Sequence, residues 1–207
     1  MKTPRHTTAF TLIELLAVIA IIAVLASIVI ATVGKVRRSA ARAEGVAILR
    51  GVGQAILLYA NDHKGKLPGP LYLKQVAIYR SDTRTLLHHI GPYLGAPSTP
   101  NGEIITACRP RAWSELLARV PDASIYRLAY GEGSDPSGNK YYPFGNTSLG
   151  KDPMTLEAIP WPTRAFALRD IRKSDDAANS PLPDNSTIWG DVQHLLFFDA
   201  HVERRPL

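Results

Sequence analysis

The sequence of 207 residues contains a single cysteine, Cys108, so an internal disulfide is excluded. A nucleophilic role for this thiol would need a histidine partner that the sequence does not place, and we predict a buried structural thiol instead. The pair His88-His89 has no second ligand at metal-site spacing, which favours a packing role. We therefore predict that the protein is not an enzyme.

Charge is absent from a long stretch near the N-terminus, because no charged side chain occurs between Leu15 and Gly34. Twenty helical residues span roughly 30 Å, which is the thickness of the hydrocarbon core of a bilayer. Proline is also absent from residues 10–62, so no kink is predicted there. We predict one long helix over residues 10–62, of which the first part is inserted in a membrane.

Glu14 directly precedes this apolar stretch. A carboxylate on the hydrocarbon side of a membrane helix costs roughly 2.5–3.5 kcal/mol, so such a residue usually has a function and a partner. A cleaved secretory signal peptide would have a shorter apolar core with a small-residue cleavage site after it. A plain membrane anchor would explain the apolar stretch but not Glu14.

Residues 9–16 read Ala-Phe-Thr-Leu-Ile-Glu-Leu-Leu. This segment resembles the N-terminus of type IV pilins and of the related type II secretion pseudopilins. The resemblance implies that a prepilin peptidase cuts between Ala9 and Phe10 and methylates the new amine of Phe10. Ala9 replaces the usual glycine but is still small. An ammonium and a carboxylate can neutralise each other at low dielectric, so we expect Glu14 to meet the Phe10 amine of a neighbouring subunit during assembly.

The resemblance also implies a single-pass protein of the bacterial inner membrane, with a cytoplasmic N-terminus and a periplasmic C-terminal domain. A count of basic residues alone favours the reverse orientation, because two precede the apolar stretch and four follow it. We give precedence to the resemblance. The four basic residues would then lie near anionic lipid headgroups: Lys35, Arg37, Arg38 and Arg42. The sequence contains no distinct basic patch, so nucleic acid is not predicted as a partner.

Beyond the apolar stretch the helix becomes amphipathic. Apolar or small residues recur there at intervals of three and four, as on one face of a helix: Ala41, Gly45, Ile48, Val52, Ile56 and Tyr59. The helix should stop before Pro68, after a run of turn-forming residues. We predict a leader over residues 1–9, a membrane and assembly half over 10–34, an amphipathic half over 35–62, and a periplasmic pilin-like domain over 63–207.

The C-terminal domain reads as short strands among long loops. Strands are predicted at Ile104–Thr106, Ala165–Leu168, Leu195–Phe198 and Val202, and a helix at Arg111–Arg119. Proline- and glycine-rich loops are predicted over residues 131–162 and polar loops over 174–185. The predicted fold class is α+β and pilin-like, with the long helix packed on a small antiparallel sheet.

The C-terminal segment from His194 to Glu203 resembles the terminal hairpin of pilin-like proteins from planctomycete- and verrucomicrobia-type bacteria. Ala200 replaces the usual glycine, so a turn that needs positive φ would cost more or change type. Trp189 occupies the place of an upstream histidine of that family, and His194 lies closer to the turn. We therefore predict a structural hairpin here.

Six aspartates are suited to calcium, which some secretion pseudopilins hold in C-terminal loops: Asp170, Asp175, Asp176, Asp184, Asp191 and Asp199. Asp191 and Asp199 are the candidates that we single out. Because no loop has a regular ligand spacing, solvated loop carboxylates are the alternative.

Together these features predict a structural prepilin-like subunit that is polymerised into a type II secretion pseudopilus. Its expected partners are the prepilin peptidase, other pilin or pseudopilin subunits, an inner-membrane assembly platform and membrane lipid. Two alternatives stay open at this point. One is a minor pilin of a type IV pilus, and the other is a membrane-anchored periplasmic binding or hydrolytic domain.

Overall fold

The computed structural model describes residues 12–129, 140–178 and 180–207. The first helix, α1 (Leu12–Asp62), comprises 51 residues, and the chain forms two compact units, Met1–Ala40 and Ala41–Leu207. In the described part of the first unit, α1 is the single element, and the side chains whose burial is described there are exposed. The second unit contains the rest of α1 together with all of the described strands.

Five antiparallel strands form one sheet in the order of the sequence. They are β1 (Lys74–Val76), β2 (Ser124–Leu128), β3 (Phe166–Asp170), β4 (Val192–Phe197) and β5 (Val202–Pro206). Two short helices, α2 (Leu86–Ile90) and α3 (Ser114–Arg119), lie between β1 and β2 along the chain. The predicted α+β fold, with a long N-terminal helix and a small antiparallel sheet, is confirmed.

From Ala41 onward α1 buries one face against the sheet. The buried positions recur at helical spacing and include two glycines: Gly45, Leu49, Val52, Gly53, Ala55, Ile56 and Ala60. Arg50, Gln54 and Asn61 are exposed on the opposite side, as the periodicity predicts. Leu49, Val52 and Ile56 thereby join the main hydrophobic core with Leu168 and Leu196 of the sheet.

The helix ends at Asp62, before Pro68, as predicted. Lys64 and Gly65 both have positive φ, at 57° and 80°, and the Gly65 N–H donates a hydrogen bond of 2.7 Å to the carbonyl oxygen of Ala60. This left-handed ending satisfies a carbonyl that the helix itself would leave without a partner.

The predicted strand at Ile104–Thr106 is wrong. Ile104 makes only an isolated bridge to Ile78, and a 3-10 turn follows at Thr106–Cys108. β1 and β2 were not predicted from the sequence. β1 has only three residues, and Arg127 interrupts the apolar character of β2. By contrast, the helix predicted at Arg111–Arg119 is present as a 3-10 turn that continues into α3.

The outer face of the sheet, turned away from α1, carries an ionic network around Asp175. Arg127 and Arg169 are opposite each other on β2 and β3. Arg169 donates two hydrogen bonds to the Asp175 carboxylate, at 2.7 and 2.8 Å, and Arg127 donates a third at 2.6 Å. Burial would raise the pKa of Asp175, but these bonds and one from the Arg172 N–H outweigh it and lower the pKa to about 2.

We predict that this network makes the fold sensitive to acid. Because the pKa of Asp175 is about 2 in the folded chain and near 3.9 when unfolded, its stabilisation is present above pH 4 and is lost as the pH falls towards 2. The Asp175→Asn variant should lose on the order of 2 kcal/mol at pH 7 and show a flatter pH dependence between pH 4 and 2. Chemical unfolding across this pH range measures both quantities.

The matched control is Asp122→Asn, which alters a carboxylate that is 68% exposed and paired with Arg80. An exposed ion pair contributes at most about 1 kcal/mol, so its pH profile should follow that of the unaltered chain. Equal acid sensitivity of the unaltered chain and Asp175→Asn would contradict the assignment.

Close contact between α1 and the sheet requires glycine at two positions. A Cβ atom on Gly45 would lie 2.4 Å from Cζ2 of Trp189, and one on Gly53 would lie 2.8 Å from Cδ1 of Leu196. The rigid indole ring of Trp189 cannot move aside as the more flexible side chain of Leu196 can. Gly51, in contrast, faces open space and has no heavy atom within 4 Å of a Cβ atom.

We predict that Gly45→Ala destabilises the second unit by about 1–3 kcal/mol, the usual cost of overpacking a core. Gly51→Ala is the matched control, and it should raise stability by about 0.5–1 kcal/mol because alanine favours the helix. Unfolding followed by tryptophan fluorescence measures both effects. Similar changes in the two variants would show that helix propensity alone accounts for them.

Candidate membrane and assembly helix

The first part of α1 exposes an apolar surface on all sides. Ile21, Ile22, Val24 and Leu25 are each about 60% exposed, and none of the apolar window is buried within the protein. The helix is long and apolar enough to cross a membrane. Burial of this surface in lipid, or against other helices, would be favourable by about 25 cal/mol per Å² of apolar area.

The few polar side chains in this segment are hydrogen-bonded within the helix. Ser27 Oγ donates to the carbonyl oxygen of Val24 at 2.7 Å, and Thr32 Oγ1 donates to that of Val29 at 3.0 Å. A hydroxyl group without a partner would be costly in hydrocarbon. These local bonds remove that cost, so the segment suits an apolar environment.

Glu14 lies in the first turn of α1. A carboxylate is favoured there because the N-terminal end of a helix carries a partial positive charge. Ala9 and Phe10, the predicted processing and methylation residues, lie outside the described residues. Pairing between Glu14 and a Phe10 amine therefore stays a prediction.

The basic residues that follow the apolar segment divide into two groups. Lys35, Arg37 and Arg38 are exposed, in keeping with the predicted contact with lipid headgroups. Arg42 binds the C-terminal part of the chain instead. Its Nη2 donates a hydrogen bond of 3.1 Å to the carbonyl oxygen of Trp189 and lies 3.7 Å from Oδ1 of Asp191.

The two calcium candidates do not share a site. Asp191 comes just before β4 and faces Arg42, whereas Asp199 follows β4 and lies 2.5 Å from Nδ1 of His201. They are therefore at opposite ends of a six-residue strand. The described residues contain no group of three or more His, Cys, Asp or Glu side chains that could hold a metal ion, and calcium binding stays a prediction.

Sequence reasoning missed the partner of His194. This residue is fully buried on β4, and its Nδ1 lies 3.0 Å from Oδ2 of Asp170 on β3. The backbone N–H of His194 donates to the same oxygen at 2.7 Å. The sequence signal for this contact was an apolar strand that ends in an acidic residue, Asp170. Neither side chain is exposed, and the hydrogen bond from the His194 N–H to Asp170 fastens β4 to β3.

Trp189 connects this pair to α1. Its ring lies edge-on to His194, with a centroid separation of 5.3 Å, and also contacts Gly45. The tryptophan that replaces the upstream histidine of the resembling family is thus a packing residue. Its contact with Gly45 and its carbonyl bond to Arg42 both fix α1 against the sheet.

Cys108, considered as a nucleophile, and the pair His88-His89, considered as metal ligands, make packing contacts in the structure. Cys108 is buried, and burial raises the pKa of its thiol to about 12, so the reactive thiolate is disfavoured. His88 and His89 lie on α2, and the His89 ring lies 2.7 Å from the carbonyl oxygen of Thr83. These contacts agree with a structural protein and give no direct evidence of catalysis.

Comparison with known protein families gives a match in the N-terminal segment. Residues 4–30 match the family described as the prokaryotic N-terminal methylation motif. No curated protein and no solved structure matches the chain. The matched segment includes Ala9, Phe10 and Glu14 and continues into the exposed apolar part of α1. The methylation motif and the fold, a long helix on an antiparallel sheet, are both features that the resemblance to type IV pilin-like proteins predicts, and they support that family.

Proposed function

We propose that this protein is a structural subunit of a type II secretion pseudopilus. The observation that carries the proposal is the methylation motif over residues 4–30, followed directly by an exposed apolar helix. The motif supports processing by a prepilin peptidase. The cut would fall between Ala9 and Phe10, and the amine of Phe10 would be methylated.

The physical logic of assembly follows from the surface of α1. Before assembly, lipid covers the apolar side chains of residues 15–34 in the bacterial inner membrane, with the C-terminal domain in the periplasm. On assembly, helices of neighbouring subunits replace the lipid. Glu14 would then neutralise the amine of Phe10 in the next subunit, because neither charge is tolerated alone at low dielectric. An inner-membrane assembly platform would drive this transfer.

The choice of a secretion pseudopilus rests on the segment at the C-terminal end of α1. Residues 59–68 read Tyr-Ala-Asn-Asp-His-Lys-Gly-Lys-Leu-Pro and resemble the corresponding segment of secretion pseudopilins. The alternative within the same class is a minor pilin of a type IV pilus. Deletion of the gene distinguishes the two hypotheses. Loss of secretion would support the pseudopilus, and loss of surface pili would support the minor pilin.

We predict that the chain extracted from its native membrane begins at Phe10 and carries one methyl group on the terminal amine. Intact-mass and N-terminal peptide mass spectrometry measure both changes. Ala9→Gly should leave the site of cleavage unchanged and raise the processed fraction, since glycine is the usual residue directly before the cut. A chain that keeps Met1 in cells with an active peptidase would contradict the proposal.

We predict that Glu14→Ala is processed normally but enters filaments at less than about one tenth of the normal level, because the buried amine then lacks its counter-charge. Sheared filaments probed by immunoblot give the assembled fraction. Glu115→Ala is the matched control, since Glu115 makes only an exposed ion pair with Arg119. Normal assembly of Glu14→Ala would exclude the proposed contact.

A further inference from the structure

A second candidate site lies on the outer face of the sheet, away from α1. It is a cavity of about 530 Å³, and its lining carries four guanidinium groups: Arg127, Arg169, Arg172 and Arg205. The strand register brings them together. Arg127 pairs with Arg169 across β2 and β3, and Arg205 on β5 lies opposite Gln193 on β4.

Asp175 shows how the cavity holds an oxyanion. Its two carboxylate oxygens accept three guanidinium hydrogen bonds of 2.6–2.8 Å and one of 2.8 Å from the backbone N–H of Arg172. Paired donors of this kind bind planar carboxylates with defined geometry. Among the described lining residues Asp175 is the one carboxylate, so guanidinium groups outnumber it four to one.

Arg205 is the most accessible of these cations. Its side chain is 49% exposed, and its Nη2 donates a hydrogen bond of 2.7 Å to Glu203 on the same strand. The Phe197 ring, 5.7 Å from Cζ of Arg205, supports it from beneath. A guanidinium has five N–H donors, so the bond to Glu203 uses only part of its capacity. Arg205 can therefore contact a ligand without disruption of the Asp175 network.

The rest of the lining suits more than an inorganic ion. Phe166 and Leu195 supply apolar surface, while Gln193 and Ser174 supply neutral hydrogen-bonding groups. The Gln193 side chain is held in place, because its Oε1 accepts a hydrogen bond of 2.9 Å from Nε of Arg172. A volume of this size lies within the range of small-molecule sites.

We propose that this cavity binds an acidic saccharide unit of the uronic acid class. The sugar carboxylate would contact Arg205, its hydroxyl groups would contact Gln193 and Ser174, and one face of its ring would lie on Phe166. An acidic peptide would use the arginines but would leave the apolar surface and the neutral groups without a specific partner. The site does not depend on the proposed processing or assembly at the N-terminus.

The test is isothermal titration calorimetry of the full chain in a neutral ethylene-glycol detergent at low ionic strength. The probes are an oligogalacturonate, the neutral oligogalactoside of equal length, inorganic sulfate and polyglutamate. We expect the oligogalacturonate to bind, the neutral sugar to fail, and sodium chloride to weaken binding. Arg205→Gln should weaken binding of the oligogalacturonate about tenfold, the usual effect of losing a charged hydrogen bond.

Arg204→Gln is the matched control. Arg204 is the neighbouring residue on β5, is exposed, lies opposite His194 in the register, and does not line the cavity. The change in net charge is the same, but affinity should be unchanged. Equal thermal unfolding curves of the two variants would show that neither has lost its fold.

Four results would overturn the proposal. These are failure of the oligogalacturonate to bind, equal weakening by Arg204→Gln, binding of sulfate as tight as that of the sugar, and binding of polyglutamate in its place. The last two would identify a general anion site and a site for acidic peptides, respectively.

Discussion

The packing of the second part of α1 on the inner face of the sheet is the interaction on which the rest of the structure depends. The helix begins as an exposed apolar segment and then buries one face in the core of the second unit. Gly45 and Gly53 allow this close approach, because a Cβ atom at either position would collide with Trp189 or Leu196. Arg42 adds a bond to the carbonyl oxygen of Trp189.

The C-terminal hairpin and the residues just before it contact α1 at Gly45 and Gly53, and buried polar groups fix the place of the hairpin. His194 and Asp170 hold β4 against β3, and Trp189 packs between His194 and Gly45. Burial of such a pair costs desolvation, so its worth lies in fixing strand register at least as much as in stability. The β4–β5 turn keeps a positive φ of 65° at Ala200, although an alanine in this conformation costs about 1 kcal/mol.

The two faces of the sheet serve different purposes. The inner face forms the core with α1 and includes the buried His194–Asp170 pair. The outer face carries arginines around Asp175 and forms the open cavity next to Arg205. The proposed filament assembly through the apolar helix and the proposed binding at the outer face would therefore use separate groups of the protein.

The sequence by itself determined the long apolar helix, the N-terminal methylation motif and the end of the helix at Asp62, because these depend on local composition, short-range spacing and turn chemistry. It also indicated β3, the terminal hairpin and the α+β class from apolar strand patterns. The tertiary structure alone decided β1, β2, the His194–Asp170 pair and the grouping of the four arginines. These features join residues far apart in the chain, and strand register, which local patterns do not encode, brings them together.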